Sequence, residues 1–410
     1  MKILQVNKFA YRKGGADRHC LDLIDLLTKA GHEVSLFSMR HPDNYVWPDD
    51  DLFVSQVNFE NPKTFKEKIR AAGRMLYSFE AKRKFAQLLD RRRPDIIHVH
   101  NIYHQISPSI LVEAAKWNIP VVMTLHDFKL LAPNYLLYHD GAICERTKAD
   151  RYFKAVGHRC VKGSRLGSVL CALEMWLHRT LKLYTNTVSV FVSPSRFLAD
   201  KVREYGIPTK RLEVIPNFIV PHPIPAQQDG EYALFFGRLS DEKGVDVLLE
   251  AWKQLPKIPL KIVGTGPDET KLRTKADWDL LANVEFTGYK SGAELDALIA
   301  NARCIIVPSV WYENQPLTIL EAFQFGKPVI ASDIGAIPDL IERGVNGLLF
   351  KPGDSNDLAD KVRALWNDPA LRSTMSVNNL TKAGEFTPEK YLERILALYN
   401  QLIKSTRTTT

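Results

Sequence analysis

The sequence lacks the features of a membrane-spanning, secreted or disulfide-stabilised protein. None of its apolar runs is long enough to cross a bilayer. The run from Ile3 to Val6 is followed by Lys8 and is far too short for a signal peptide. The five cysteines are odd in number and widely spaced, which is typical of reduced thiols. We therefore expect a cytoplasmic protein, either soluble or held peripherally on the inner face of the plasma membrane.

Common nucleotide motifs are absent as well. Gly14 and Gly15 precede a predicted helix, where bare amides could approach a phosphate, but they do not form the G-x-G-x-x-G pattern of dinucleotide cofactors. The loop at 237–244 lacks the spacing of a Walker A loop, so ATP hydrolysis is not indicated. We expect no bound cofactor.

Histidines and cysteines do not occur at the spacing of a metal site. His98 and His100 are alternate positions of a predicted strand that must pack against helices, and His104 follows in the next loop. Cys144 and Cys160 have no pair of cysteines or histidines nearby at zinc spacing. The sequence therefore predicts no metal requirement.

Positive charge is concentrated in the first half of the chain. The net charge is +8, with 33 basic and 21 acidic residues in 1–210 against 22 and 26 in 211–410. Such asymmetry favours an anionic partner for the first half, such as a membrane surface, a phosphorylated acceptor or nucleic acid. The basic helical stretch 63–93 could lie on an anionic membrane or simply pack on a sheet. Basic residues interleaved with aromatics on one face, or a reader motif, are missing, so nucleic acid is not the expected partner.

Strand-like and helical segments alternate in two series, which predicts two doubly wound α/β domains with parallel sheets. The first series covers 1–207. A proline-rich stretch at 208–230 is the predicted linker, and the second series covers 231–387. Two such domains would leave a cleft between the carboxyl ends of their strands, where ligands bind in open α/β sheets.

One stretch, 307–330, carries two carboxylates eight positions apart. An apolar strand ends before Pro308, Glu313 falls in the following loop, and Glu321 falls on a helix that we expect to begin with Pro316 at its first position. Two carboxylates so placed could hold different parts of one elongated polar ligand. The alternative is a capped surface helix with two solvated glutamates.

Three other strand ends in the second series carry residues suited to a nucleotide. Arg238 and Lys243 follow one strand and could neutralise a diphosphate without a metal. Gly264 opens a loop of small residues after another strand, and Gly288 with Tyr289 follows a third, where the ring could meet a nucleobase. Each is an ordinary turn when taken alone. Their occurrence at one sheet edge favours a binding site.

These motifs, taken in order, resemble glycosyltransferase family 4, and the resemblance covers nearly the whole chain. The segments that carry it are Lys13-Gly-Gly15, His98-Val-His-Asn101, Thr124-Leu-His-Asp127, Val192-Ser-Pro-Ser195, Ile215-Pro-Asn217, Gly237-Arg238 through Lys243-Gly244, Gly264-Thr-Gly-Pro267, the E-x7-E pair Glu313 and Glu321, Gly326-Lys-Pro-Val-Ile-Ala-Ser332 and Gly347-Leu-Leu-Phe350.

The resemblance implies a GT-B fold of two facing Rossmann-like domains, with the last helix, 388–404, packed back on the first domain. It implies a retaining hexosyltransferase that takes its sugar from a nucleoside-diphosphate sugar, which we expect to be a UDP-sugar. The implied acceptor is a glycan or lipid-linked saccharide of bacterial exopolysaccharide or other surface polysaccharide. In such enzymes no side chain is clearly a nucleophile, and the expected chemistry is a front-face displacement.

The resemblance also implies roles for individual residues. Arg238 and Lys243 would clamp the donor diphosphate, Glu313 would bind donor-sugar hydroxyls, and Glu321 would bind the ribose. His126 would lie close to the transferred sugar. The other implied donor-binding positions are Gly14, Gly15, Asn217, Gly264, Gly288, Tyr289, Asn314, Gln315, Leu317 and Thr318.

Two departures from the family pattern leave alternatives open. The family often has a glycine and an aromatic after the first motif glutamate, whereas Asn314 and Gln315 stand here, so the donor sugar is not defined. Some related bacterial members have four cysteines in the insertion after the His-Asp pair, of which Cys144 and Cys160 remain. A UDP-sugar epimerase of the same architecture is the alternative enzyme, and a nucleic-acid-binding protein is the weaker alternative.

Overall fold

The computed structural model describes residues 1–57, 59, 64–221 and 230–407. It divides into two compact units. The first comprises Met1–Leu137, Glu145–Asn217 and Pro388–Thr410, and the second comprises Tyr138–Cys144 and Phe218–Thr387.

The first unit contains a six-stranded parallel sheet in the order β2-β1-β3-β4-β7-β8, and a separate hairpin, β5-β6, belongs to the second unit. The first eight strands of the chain are β1 (Lys2–Val6), β2 (Glu33–Phe37), β3 (Ile96–Val99), β4 (Val121–Thr124), β5 (Tyr138–His139), β6 (Ala142–Ile143), β7 (Val190–Ser193) and β8 (Leu212–Val214). Every residue of β3, β4 and β7 is buried, as expected for parallel strands covered by helices on both faces.

Helices connect these strands. The helices of the first series are α1 (Gly15–Lys29), α2 (Phe65–Leu76), α3 (Phe79–Arg92), α4 (Ser109–Lys116), α5 (Lys154–Gly157), α6 (Arg165–Thr180) and α7 (Arg196–Glu204). The basic helical stretch predicted at 63–93 contains two helices, α2 and α3. Ser78 starts the second, because its side chain accepts a hydrogen bond from the Ala81 amide while Tyr77 is extended. Lys63, at the start of the stretch 63–93, lies outside the described residues.

The second unit repeats the pattern, with strand order β11-β10-β9-β12-β13-β14. Its strands are β9 (Tyr232–Phe236), β10 (Leu260–Val263), β11 (Val284–Gly288), β12 (Ala302–Val307), β13 (Val329–Ser332) and β14 (Gly347–Phe350). The remaining helices of the chain are α8 (Val245–Trp252), α9 (Glu269–Trp278), α10 (Ala293–Ala300), α11 (Leu317–Gln324), α12 (Ile337–Leu340), α13 (Ser355–Asn367), α14 (Pro369–Ala383) and α15 (Pro388–Arg407).

Alternation along β9 builds a core on each face of the second sheet. Ala233 and Phe235 pack in one buried cluster with Trp252, whereas Leu234 and Phe236 pack in another with α11. In both sheets the first strand lies inside the sheet, and strand order reverses beside it, between β1 and β3 and between β9 and β12. Such switch points are where open α/β sheets bind ligands.

The chain between the two series differs from the predicted linker at 208–230. Residues 208–217 belong to the first unit, since β8 pairs in parallel with β7, and Phe218 begins the second. The prolines suggested a linker, but a three-residue strand is too short to show a sequence period. The part of the linker at 222–229 lies outside the described residues.

The last helix, α15, is placed in the first unit by its contacts. The Tyr391 hydroxyl lies 3.2 Å from His19 Nε2. The Tyr399 hydroxyl lies 2.5 Å from His98 Nδ1. Among the residues described, no helix combines the length and apolar character required to cross a membrane.

Candidate active site

The loop after β9 holds the two predicted phosphate-binding cations. The Gly237 amide donates to the Val263 carbonyl at 3.0 Å, which carries the loop across the end of β10. A 3-10 turn at Asp241–Lys243 then ends at Gly244, which adopts a left-handed conformation with φ of 68°. Arg238 is exposed and Lys243 is partly buried. The hydroxyl of Tyr138, on the β5-β6 hairpin, donates to Asp241 at 2.9 Å, a contact that no sequence pattern predicts.

Glycines allow the loops after β9, β10 and β12 to pack backbone against backbone. A Cβ on Gly264 would lie 1.9 Å from the Gly237 carbonyl oxygen, and one on Gly244 would lie 2.0 Å from the carbonyl oxygen of Pro308. Gly264 therefore allows a close approach to the neighbouring loop after β9. It fixes the three strand ends relative to one another.

At this edge the buried Glu313 carboxylate forms an ion pair with the partly buried Lys243 ammonium. Lys243 Nζ lies 2.7 Å from Glu313 Oε1, and the Ser309 hydroxyl donates to the same oxygen at 2.6 Å. The ammonium also lies 5.3 Å from the ring centroid of Trp311. Burial would raise the pKa of Glu313, but Lys243, Ser309 and Trp311 together lower it, so the carboxylate is charged. Ser309 and Trp311 were not predicted as site residues.

The backbone around Glu313 is fixed by the loop after β13. The Ala336 amide donates to the Glu313 carbonyl at 2.9 Å. Gly335 has a φ of 61°, and a Cβ there would lie 2.6 Å from the Glu313 amide nitrogen. A rigid support of this kind holds a charged side chain in one position without a ligand.

Helix α11 begins one residue later than predicted. Pro316 is extended and precedes the helix, and Leu317 is the first helical residue. Glu321 is the fifth helical residue and is partly buried. The early amides of the helix, including those of Leu317 and Thr318, point toward its N-terminal end, where an anion is favoured. Asn314 is partly buried and Gln315 is buried in the loop before it.

Gly288 ends β11 beside the Gly264 loop, and Tyr289 follows it. The Gly264 amide donates to the Gly288 carbonyl at 2.8 Å. Gly288 has a φ of 72°, and Tyr289 is 70% exposed. The structure thus brings Arg238, Lys243, Gly264, Gly288 and Glu313 to the carboxyl edge of the second sheet.

The other predicted positions lie in the first unit. Gly14 and Gly15 are exposed at the start of α1, where Gly14 has an extended backbone with φ of −154°. A Cβ on Gly14 would meet only Asp17 Oδ2, at 3.8 Å. The glycine is therefore not required by backbone geometry, and its effect is to leave the first amides of α1 uncovered. Asn217 is buried at the end of the unit.

His126 ends a chain of hydrogen-bonded side chains that starts inside the first sheet. His126 Nε2 lies 2.9 Å from His100 Nδ1, and His100 Nε2 lies 2.9 Å from Gln5 Oε1. Burial lowers the pKa of both histidines, so both rings are neutral. Because the Gln5 oxygen accepts the proton of His100 Nε2, His100 Nδ1 accepts that of His126. His126 Nδ1 is then left as an acceptor.

His104 does not join His98 and His100. It groups instead with Cys171 and Glu174, with donor atoms within 4.8 Å of one another. Lys129 Nζ lies 2.6 Å from Glu174 Oε2 and 3.3 Å from His104 Nε2, so its ammonium supplies the positive charge that a metal ion would bring.

Comparison with known proteins gives this architecture a family. The model for "Glycosyltransferase Family 4" matches residues 13–222, and that for "Glycosyl transferases group 1" matches residues 221–383. An alpha-D-kanosaminyltransferase of Streptomyces kanamyceticus is 31% identical over 265 residues, which are 63% of this chain and 64% of that protein.

Solved structures agree over nearly the full length. A sucrose-phosphate synthase from Thermosynechococcus elongatus superposes with a TM-score of 0.71 at 18% identity, covering 98% of this chain and 99% of that one. Anabaena HepE in complex with UDP gives a TM-score of 0.68 at 19% identity, covering 98% and 100%. HepE in complex with UDP-glucose gives 0.65 at 19% identity, covering 100% of both chains. The predicted GT-B fold is confirmed, and the chain belongs to glycosyltransferase family 4.

Proposed function

We propose that the protein is a retaining hexosyltransferase that moves a sugar from a UDP-sugar to a glycan or lipid-linked saccharide in bacterial exopolysaccharide or surface polysaccharide biosynthesis. The observation that carries the proposal is the grouping of Arg238, Lys243 and the buried, charged Glu313 at the carboxyl edge of the second sheet. Family membership supports sugar transfer, and the UDP and UDP-glucose complexes of HepE support the donor class.

In this proposal the donor binds along the edge from Tyr289 to α11. The guanidinium of Arg238 and the ammonium of Lys243 contact the diphosphate. Glu313 accepts hydrogen bonds from sugar hydroxyls, Glu321 accepts them from the ribose, and Tyr289 contacts the base. The amides of Gln315, Leu317 and Thr318 serve the sugar and phosphate.

The proposed reaction retains the configuration at the anomeric carbon. The bond from that carbon to the phosphate oxygen breaks as the acceptor oxygen bonds to the same face, and the acceptor proton passes to the leaving phosphate. Arg238 and Lys243 stabilise the charge that develops on UDP. His126 accepts a hydrogen bond from a sugar hydroxyl through Nδ1. Because two cations serve the diphosphate, we propose that no metal is required.

The direct test measures UDP release from a panel of UDP-sugars offered with saccharide acceptors. We expect one sugar to be transferred with its anomeric configuration retained, and the rate to be unchanged by EDTA. The proposal would be refuted if the protein neither bound nor turned over any nucleotide sugar. Conversion of a UDP-sugar without an acceptor would identify an epimerase instead.

The proposed acceptor places the enzyme on the cytoplasmic face of a membrane. A lipid-linked saccharide has its reactive end at the bilayer surface, and the first half of the chain carries the excess positive charge. We propose that the first unit contacts that surface peripherally.

A further inference from the structure

Helix α6 presents an apolar face to solvent. Its other face is buried in the first unit through Ser168, Cys171, Ala172, Glu174, Met175 and His178. Leu166 is 75% exposed, Val169 is 40% exposed and Trp176 is 48% exposed, and Leu173 is partly buried between them. These four residues, which we name the α6 stripe, follow one another at helical spacing and therefore line one side of the helix.

Basic residues lie at both ends of the α6 stripe. Lys162 and Arg165 are exposed at the start of the helix, and Lys182 is exposed just after its end. The only acidic residue of α6 is Glu174, which is fully buried and paired with Lys129. A large apolar surface flanked by cations is unusual on a soluble monomer and marks an interaction site.

The neighbouring helix, α2, also exposes an apolar residue between basic ones. The two helices are in contact, and His178 Nε2 on α6 lies 2.8 Å from the Leu76 carbonyl at the end of α2. Ile69 on α2 is 57% exposed and stands between exposed Lys68 and Arg70. The exposed acid of α2, Glu67, forms part of the capping box at its first turn.

We infer that the α6 stripe is a docking surface for an anionic lipid bilayer. The helix is about 24 Å long at 1.5 Å per residue, and it would lie in the plane of the interface with Leu166, Val169 and Trp176 entering the acyl boundary. Lysines and arginines at both of its ends would contact anionic headgroups. Tryptophan is enriched at such interfaces because its ring is amphipathic.

The distribution of charge favours a bilayer over a second copy of the chain. Two copies related by a two-fold axis and paired along α6 would bring Lys162 and Arg165 of one copy against Lys182 of the other. Those like charges would repel each other. The inference rests on the proposed function, because a lipid-linked acceptor would lie in that bilayer. It concerns the α6 stripe and not the proposed donor site.

Co-sedimentation with vesicles tests the inference. The full chain is mixed with vesicles of phosphatidylcholine and phosphatidylglycerol, or of phosphatidylcholine alone, at low and high salt. We expect binding to the anionic vesicles that weakens with salt, and at least about tenfold weaker binding for Leu166→Glu and Trp176→Glu. The matched control is Trp278→Glu, because Trp278 is 86% exposed at the end of α9 in the second unit, and it should bind as the parent does.

Each outcome decides the matter. The inference is overturned if both α6 variants bind vesicles as the parent does, or if the parent shows no preference for anionic vesicles. It is also overturned if the parent binds no vesicles and instead forms a dimer that Trp176→Glu dissociates. Release of UDP with a water-soluble acceptor should be equal in Trp176→Glu and the parent. Vesicle binding without any UDP release would keep this inference and refute the proposed function.

Discussion

At the residue scale, Lys243 neutralises Glu313 in this structure, and the proposed donor complex requires the same ammonium to contact a diphosphate. The two roles are compatible, because a lysine ammonium has three donors and only one of them is used by Glu313. Removing Lys243 therefore has two separable effects, one on donor binding and one on the stability of a buried carboxylate.

Lys243→Ala should lower the rate of UDP release at least about 100-fold, because a contact to the developing charge is lost. It should also lower the free energy of unfolding by about 2 kcal/mol, since Glu313 is left buried without its cation. Urea unfolding and turnover measure the two effects. The double variant Lys243→Ala, Glu313→Gln should recover stability but not activity, and a double variant as unstable as the single one would contradict this explanation.

Glu321→Ala should reduce transfer strongly while leaving the fold intact, because Glu321 is partly buried on the wall of α11. We expect a loss of about 10- to 100-fold in kcat/KM for one charge-assisted contact to the ribose. Glu294→Ala, at an exposed position of α10, is the matched control and should keep full activity. Full activity in Glu321→Ala would overturn its assignment to the donor.

Gly264→Ala should destabilise the second unit. Gly264 has a φ of 134°, and its new Cβ would collide with the Gly237 carbonyl. We expect a loss of at least about 2 kcal/mol in unfolding free energy, measured in urea. Gly14→Ala, where a Cβ has room, should leave stability unchanged, and equal losses in the two variants would contradict the role given to backbone packing.

The sequence was informative about residues wherever a strand end carried an unusual side chain. Arg238, Lys243 and Glu313 were identified from loop chemistry, and the structure places them together. Ser309 and Trp311 were missed, because a serine and a tryptophan in a loop carry no signal until the loop's path is known. The pairing of Lys243 with Glu313 depends on tertiary contacts between loops 70 residues apart.

At the element scale, strands and helices of the second unit were predicted with small errors at their ends. The apolar runs Tyr232–Phe236 and Leu260–Val263, each between clear turns, predict strands with the bounds that β9 and β10 have. Helix α14 was not predicted. Asp368 ends α13 and also caps α14, so the proline that follows it, Pro369, suggests the end of a helix although it is the first residue of the next. Strand β8 was missed because of its shortness.

The buried pair of Lys129 with Glu174 secures α6 to the first unit. Burial would raise the pKa of Glu174, but Lys129, His104 and His178 hold it well below its ordinary value. The stabilisation is therefore present above the unfolded pKa of about 4.5 and is lost as pH falls from there toward the lower folded value.

Lys129→Met should lower the free energy of unfolding by about 3–5 kcal/mol, because Glu174 is left charged and fully buried. The double variant Lys129→Met, Glu174→Met should be closer to the parent. Lys148→Met, which removes an exposed pair with Glu204, is the control and should cost less than about 1 kcal/mol. Thermal and urea unfolding report all three, and equal losses at the exposed and buried pairs would refute the explanation.

At the scale of the whole molecule, four neutral histidines inside the first unit make stability depend on pH. Burial lowers the pKa of His19 and His98 to about 3 and holds those of His100 and His126 well below 6.5. The unfolded chain takes up protons below about pH 6.5 and the folded chain does not. Stability should therefore be full above that pH and fall as pH drops toward 3.

Lowering the pH from about 7.5 to 5.5 should reduce the free energy of unfolding by about 1.4 kcal/mol for each of these histidines. Urea unfolding across this range measures the sum. His19→Gln should make the profile less steep, because one of the four buried, neutral histidines is removed. A flat profile in the parent would contradict the buried, neutral state of the cluster.

The return of α15 to the first unit has a consequence for the order in which the chain acquires its structure during synthesis. Almost all of the second unit, from Phe218 to Thr387, is one continuous segment that leaves the ribosome before α15 does. Tyr391 and Tyr399, the partners of His19 and His98, are made only after that segment is complete. The first unit must therefore wait for α15, and in nascent chains stalled before residue 388 the second unit should be protected from protease while the first is not.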